Sequence, residues 1–350
     1  MPRLLKQILQ FILFLGLGLF IMWYIYHGQR DAYFLYCSSH EIPIEKCSLK
    51  DKLWKDFSSV NWFYIALIFV AFSMSNVSRS LRWQMILRSM GYKTRFVNAY
   101  GSVSIAYFAN LGLPRSGEFF RASFMSKYEK IGLDKTLGTI VLDRMVDMVS
   151  MLGLIALAMA IQWHIFKDFL GKYVFASMNQ KFSLLIILGV ASLLIVLLIF
   201  FSRSIWRQWH FVRQVGIKLS GFVSGIRAIG SLDSPYLFLL HTALVWFWYF
   251  MMLLFALKAF DATSHIGISA ALLIYVFSAL GMVVPTPGGM GSYHYLMILA
   301  LSFYGINELD AFSFANIAFF SAQFATNILM GIAALIYLPI VNSTTNRPST

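Results

Sequence analysis

The sequence predicts an all-α polytopic membrane protein of about seven full transmembrane helices and two re-entrant or broken helical hairpins, with the two halves related as an inverted repeat. Three observations predict it. Hydrophobic residues make up 59% of the 350 and charged residues only 12%, against roughly 45–50% and 25% in soluble domains. The mean hydropathy is +0.70, and several apolar runs reach the ~20 residues needed to span hydrocarbon. Prolines and glycines interrupt two apolar segments, one in each half of the chain.

The first span is predicted over 8–26. Arg3 and Lys6 precede it as in a signal peptide, but it is long, runs into WYIYHGQRD and has no small-residue cleavage site. An external loop follows over 27–61 and holds both cysteines, Cys37 and Cys47, ten residues apart. In an oxidising compartment they can close a disulfide. Spacing alone leaves two free thiols as the other reading.

Further spans are predicted over 62–77, 137–163, 182–201, 236–257, 268–284 and 312–338. Segments 98–113 and 293–304 are apolar but too short to cross, which marks re-entrant or half helices. The chain reads as one transmembrane domain over 1–340 with a short cytoplasmic tail over 341–350.

Lysine and arginine set the orientation. They collect at Arg3 and Lys6, between Arg79 and Arg95 (with Arg82, Arg88 and Lys93 and no acid), over 115–135, and over 203–227. All four stretches lie on one side if 98–113 dips in and returns. Both termini are then cytoplasmic, in the inner membrane of the cell. The formal charge of +13 belongs to loops held against anionic headgroups. No basic soluble domain is present to bind nucleic acid.

Polar groups inside a membrane are expensive and mark function. In NLGLPRSGEFFRA (110–122), Pro114 and Gly117 break the apolar run, and Arg115, Glu118 and Arg121 follow the break. Glu118 and Arg121 are three apart and share a helix face. The same residues also suit a helix start at the interface, with its charges in water. In LDRMVDM (142–148), Asp143 and Asp147 stack one turn apart, with Arg144 about 100° around the helix. Such a pair repels unless cations answer it, and Arg121 and Arg144 are the candidates. A charged helix end that snorkels to the interface is the plainer alternative.

Asn316, Gln323 and Asn327 fall on one helical stripe of the last span, as substrate contacts or as interhelical amide contacts. The stretch VVPTPGGMGSYH (283–294) supplies Pro287, Gly288, Gly289, Gly291, Ser292 and His294. It lacks the lysine and the preceding strand of a nucleotide-binding loop, and no acid accompanies its serine and histidine for nucleophilic catalysis. A broken helix remains, with freed backbone groups that can line a cavity. Paired with NLGLPRSGE, it is the pattern of a transporter with inverted halves and a midplane site. No metal-ligand spacing, cofactor motif or catalytic constellation is present, so the sequence predicts neither a metal, a cofactor nor an enzyme.

The motifs RSLRW (79–83), LPRSGEFFRA (113–122), VLDRMVDM (141–148) and PTPGGMGSYH (285–294), in this order, resemble the flippase-like transmembrane domain of lysylphosphatidylglycerol synthases and its stand-alone relatives. The resemblance covers nearly the whole chain. It implies a polytopic inner-membrane protein that moves or handles a lipid, with a membrane phospholipid or lipid-linked substrate and a lipid-modifying enzyme as partner. In the synthases a separate C-terminal domain performs aminoacyl transfer from tRNA. This chain ends at Thr350, so aminoacyl-lipid synthesis is not expected of it.

Two departures stand out. Asp143 precedes Arg144 where the family often has glutamate, which keeps the charge. His294 stands where the family commonly has an acid, which points to a headgroup other than lysyl-lipid.

By residue chemistry, Arg115, Arg121 and Arg144 are the groups for a headgroup phosphate. Glu118, Asp143 and Asp147 hold those arginines or meet a cationic headgroup. The 285–291 loop forms a second wall with Ser292 and His294 at its rim. A lipid flippase or scramblase is the first reading. The others are a non-transporting accessory of lipid or glycan synthesis, and a small-solute transporter.

Overall fold

The computed structural model describes residues 47–112, 115–169, 232–284, 289 and 291–343, with isolated residues between 23 and 38. The spans predicted over 8–26 and 182–201, the prolines and glycine Pro114, Pro287 and Gly288, and the 344–350 tail lie outside the described residues. The regular structure among the described residues is all helical, with no strand. By contact the chain divides into two compact units, one of 1–158 with 233–350 and one of 159–232. Within the second, α6 (Trp163–Phe169) is described, and everything below concerns the first.

In that unit Cys37 and Cys47 are both buried and joined by a disulfide with their Cα atoms 6.1 Å apart. Helix α1 (Leu49–Ser58) is capped by Ser48, whose hydroxyl accepts from the Asp51 N–H. Its Leu49 is buried while Trp54 is 75% exposed, the placement of an aromatic at a membrane interface.

Among the described residues, four helices are long and apolar enough to cross a membrane. They are α2 (Trp62–Ser89), α5 (Leu133–Ile161), α7 (Pro235–Ala259) and a composite running from Glu308 to Ser343. The composite consists of α10 (Glu308–Ala318), a π-helical turn (Phe319–Ala325) and α11 (Thr326–Ser343).

Between the long helices lie two pairs of short ones. The first is α3 (Phe96–Gly112) with α4 (Gly117–Glu129). Glu129 Oε1 accepts from Asn98 Nδ2 at 2.6 Å and from the Arg95 N–H at 2.9 Å, which closes the base of an antiparallel hairpin. At its tip the Gly117 N–H donates to Asn110 Oδ1 at 2.8 Å. A Cβ on Gly117 would lie 2.3 Å from the Ala106 carbonyl oxygen, so the approach of α4 to α3 requires glycine. Arg115 takes a left-handed conformation, φ 61°, and reverses the chain. The short apolar segment that starts at Asn98 is thus one arm of a helical hairpin, with α4 as the other.

The second pair is α8 (Ile268–Val283) with α9 (Ser292–Ser302). The sequence predicts a full span at 268–284. The structure makes it the first arm of a hairpin, because its 16 residues rise only ~24 Å against a hydrocarbon core of ~30 Å. Ser292 Oγ donates to the Gly281 carbonyl at 2.7 Å, and a Cβ on Gly281 would fall 2.7 Å from Tyr293 Cα. The element order therefore repeats: long helix, hairpin, long helix.

Small residues make the close contacts, as expected where apolar burial does not drive association. Gly331 of α11 faces Phe108 of α3, where a Cβ would lie 2.3 Å from the Phe108 Cβ. The most extensive pair is α2 with α7, stitched by Ser75 Oγ donating to the Val245 carbonyl at 3.2 Å. Trp83, Leu87, Ala99, Val103, Ala122, Met125, Ile131 and Ile140 form a core where α2, the first hairpin and α5 meet.

Candidate functional site

The sequence reading ends the second span at 77 and leaves Arg79 and Arg82 in a basic cytoplasmic loop. The structure corrects this. No proline or glycine stands between Trp62 and Met90, so α2 continues to Ser89 and carries both arginines into the bundle. On the adjoining helix, Asp143 and Asp147 lie 10 and 14 residues beyond the start of α5, or about 15 and 21 Å along it. Carboxylates that deep cannot reach water by snorkelling and need cations beside them.

Three arginines answer them. Arg82 Nη2 donates to Asp143 Oδ1 at 2.5 Å and to Asp147 Oδ1 at 2.7 Å. Arg79 Nη1 donates to Asp147 Oδ2 at 2.6 Å and lies 3.6 Å from Asp143 Oδ2. Arg121, from α4, donates through Nη1 to Asp143 Oδ2 at 2.8 Å and stacks its guanidinium 3.9 Å over the Trp83 ring, a cation–π contact. All five charged side chains are buried. The Trp83 indole N–H donates to Thr139 Oγ1 at 2.9 Å, so the ring that supports Arg121 is itself held by α5.

The expected partnership of Glu118 with Arg121 does not form. Arg121 turns inward to Asp143, and Glu118 Oε1 instead meets Arg144 Nε at 3.2 Å. Arg144 also reaches Asp147 Oδ2, at 3.4 Å. This outer pair remains accessible, with Arg144 36% and Glu118 32% exposed. Four guanidiniums thus face three carboxylates, and the whole group carries one net positive charge.

Two tyrosines lie against it. Tyr107 of α3 and Tyr249 of α7 share a hydrogen bond of 2.6 Å between their hydroxyls. The Arg79 guanidinium sits 5.9 Å from the Tyr249 ring centroid.

One hydrogen bond links the first hairpin to the second. Arg115 Nη2 donates to the Val283 carbonyl at the end of α8, at 3.4 Å. Gly289 and Gly291 both have positive φ, 79° and 88°, and the second leads directly into α9.

His294 is not at a rim. It is fully buried with its ring 4.8 Å from that of Phe319 at the first π-helical position, and neither ring nitrogen has a hydrogen-bond partner among the described residues. The amide stripe of the last span is broken as well. The π-turn inserts extra residues per turn between Asn316 and Asn327, and Asn316 and Asn327 both donate to carbonyls four residues back in their own helix. Gln323 lies within the π-turn and is half-buried.

Sequence reasoning missed Arg79, Arg82, Trp83, Tyr107 and Tyr249. A signal for the arginines was present: a breaker-free helix continuing to Gly91, and two aspartates one turn apart that require more cations than Arg121 and Arg144 supply. For the tyrosines no local pattern exists, because their neighbours come from distant helices.

A cluster of paired charges enclosed by apolar helices, beside two helical hairpins linked by the Arg115–Val283 hydrogen bond, defines a polytopic all-α membrane protein with a polar site inside the bundle. The chain belongs to the lysylphosphatidylglycerol synthase TM region family, whose sequence model matches residues 49–331. Over 100 residues it is 33% identical to a membrane protein of the UPF0104 group from Methanocaldococcus jannaschii, a match covering 28% of this chain. The same match spans 30% of that relative's length. No solved structure matches the chain.

Proposed function

We propose that this protein translocates or binds a phospholipid, or a lipid-linked headgroup, between the leaflets of the inner membrane, as a flippase or scramblase. The observation that carries the reading is the Arg144–Glu118 pair, about one-third exposed, set on a buried cluster of five charges. Arg144 is held loosely, by contacts of 3.2 and 3.4 Å. A phosphodiester can offer its guanidinium two parallel hydrogen bonds and also matches the one positive charge left over in the group.

The buried pairs keep that charge at a fixed position where free ions would be costly. Glu118, once released by Arg144, can accept from a hydroxyl or ammonium of the headgroup. Arg115, which donates across to the Val283 carbonyl of α8, lies three residues before Glu118 in the same hairpin. Membership of a lipid-handling family supports a lipid substrate over a small solute.

In this reading the protein is not an enzyme and uses no cofactor, both termini are cytoplasmic, and a lipid-modifying enzyme supplies or consumes the lipid. Movement is downhill unless an ion gradient or a partner drives it. A non-transporting accessory that only binds lipid is the second reading, and one assay separates the two. The full chain is reconstituted in vesicles with fluorescent or aminoacylated lipids, and movement between leaflets is measured for wild type, Arg144→Ala and Arg144→Lys. Transport predicts a rate above that of empty vesicles and a loss of at least ~10-fold in Arg144→Ala. If wild type matches empty vesicles for every lipid class, transport is wrong.

A further inference from the structure

At the end of α2 lies a recess of about 370 Å³ lined by Gln84, Arg88, Tyr92, Lys93 and Thr94, which the translocation site does not use. We infer that it is a separate binding site for the phosphodiester headgroup of an anionic glycerophospholipid. Its shape comes from the way α2 stops. The Tyr92 N–H donates to the Leu87 carbonyl and the Gly91 N–H to the Arg88 carbonyl, with Gly91 at φ 87°. These bonds occupy the Leu87 and Arg88 carbonyls of the last turn, so those two do not confront a bound anion.

The hydrogen bonds inside the recess leave donors pointing into it. Gln84 Nε2 donates to the Thr94 carbonyl at 2.5 Å and to Thr94 Oγ1 at 3.2 Å. The Thr94 hydroxyl oxygen is thereby an acceptor from Gln84, and its own proton is left for a ligand. Lys135 Nζ donates to the Tyr92 hydroxyl at 2.9 Å, which likewise leaves the phenolic proton available. Arg88 and Lys93 are exposed, and neither makes an ion pair among the described residues. A guanidinium, an ammonium and two hydroxyls without a lining carboxylate form an anion site, and the guanidinium suits a phosphodiester in particular.

Two features favour a lipid over a soluble phosphate. Met90 and Phe96, on either side of the recess in sequence, are 46% and 38% exposed and give acyl chains an apolar surface. The recess also lies at the end of a membrane-spanning helix, among the cations that the sequence places at the cytoplasmic headgroup level, where basic pockets between helices take anionic headgroups. The site is independent of the translocation reading and stands or falls separately.

The test uses the full chain in detergent micelles, with bound lipid counted by native mass spectrometry after adding phosphatidylglycerol or phosphatidylcholine. Wild type should retain phosphatidylglycerol in preference to phosphatidylcholine, and Arg88→Gln/Lys93→Gln should raise the concentration for half-retention at least ~10-fold. Lys127→Gln/Lys130→Gln, which removes the same charge elsewhere, should leave it unchanged. Equal losses in the two double variants would overturn the site in favour of diffuse surface charge. No loss in the first variant would overturn it outright. Displacement of the lipid by millimolar inorganic phosphate would overturn the lipid assignment and make the recess a site for a soluble phosphate.

Discussion

Replacing Asp143 with asparagine tests whether the charge cluster is the keystone between α2, α4 and α5. Asp143 accepts at 2.5 Å from Arg82 and at 2.8 Å from Arg121, with Arg79 at 3.6 Å. At an effective dielectric constant of 20 and roughly 4 Å between charge centres, each such attraction is ~4 kcal/mol, so about 12 kcal/mol of gross attraction disappears. Relief of the carboxylate's desolvation, several kcal/mol, and of its repulsion by Asp147 offsets most of that. The buried set of three arginines and two aspartates passes from one net positive charge to two.

The expected net loss is the ~3–5 kcal/mol typical of breaking a buried pair, or about 10²–10⁴ in the unfolding equilibrium. It can be read by SDS-induced unfolding of the purified protein in mixed micelles. Asp143→Leu combined with Arg82→Leu restores the net charge of the buried set and should recover most of the loss. A single variant within ~1 kcal/mol of wild type, or a double variant no better than the sum of the singles, would refute this account.

Gly117→Ala should destabilise the first hairpin by about 2–3 kcal/mol, since the new methyl meets the backbone carbonyl of Ala106, which cannot swing away; an unchanged thermal midpoint would contradict the close approach. In α1, which precedes the first described long helix, Lys52 donates to Asp56 at 2.6 Å and to Asp310 of α10 at 2.9 Å. Burial pulls its pKa down, but the two hydrogen bonds and charges outweigh burial and leave it raised. The ammonium's contribution to docking α1 on α10 is thus fully present below the ordinary lysine value and fades as pH rises through the raised one. Limited proteolysis around α1 should accelerate above about pH 10.5, and Lys52→Met should abolish that pH step.

The class of protein was legible from composition and run length, because a bilayer demands about 20 apolar residues per crossing whatever the packing. Helix breakers marked both hairpins for an equally local reason: Gly117 and Gly291 stand where only glycine fits or turns. The disulfide pair and the paired aspartates were visible too, as residue types whose chemistry calls for a partner.

Which partners they took was not legible. Arg79 and Arg82 read as loop cations because charge counting treats arginine as a marker of water. Only the packing of α2 against α5 reveals that Asp143 and Asp147 hold them inside. Glu118 and Arg121 share a face within one helix, yet the neighbouring helix drew them apart. The sequence by itself determined that this chain crosses a membrane and where it must bend. Tertiary structure alone decided which charges are buried, since an ion pair's worth depends on the distance and burial that other helices impose.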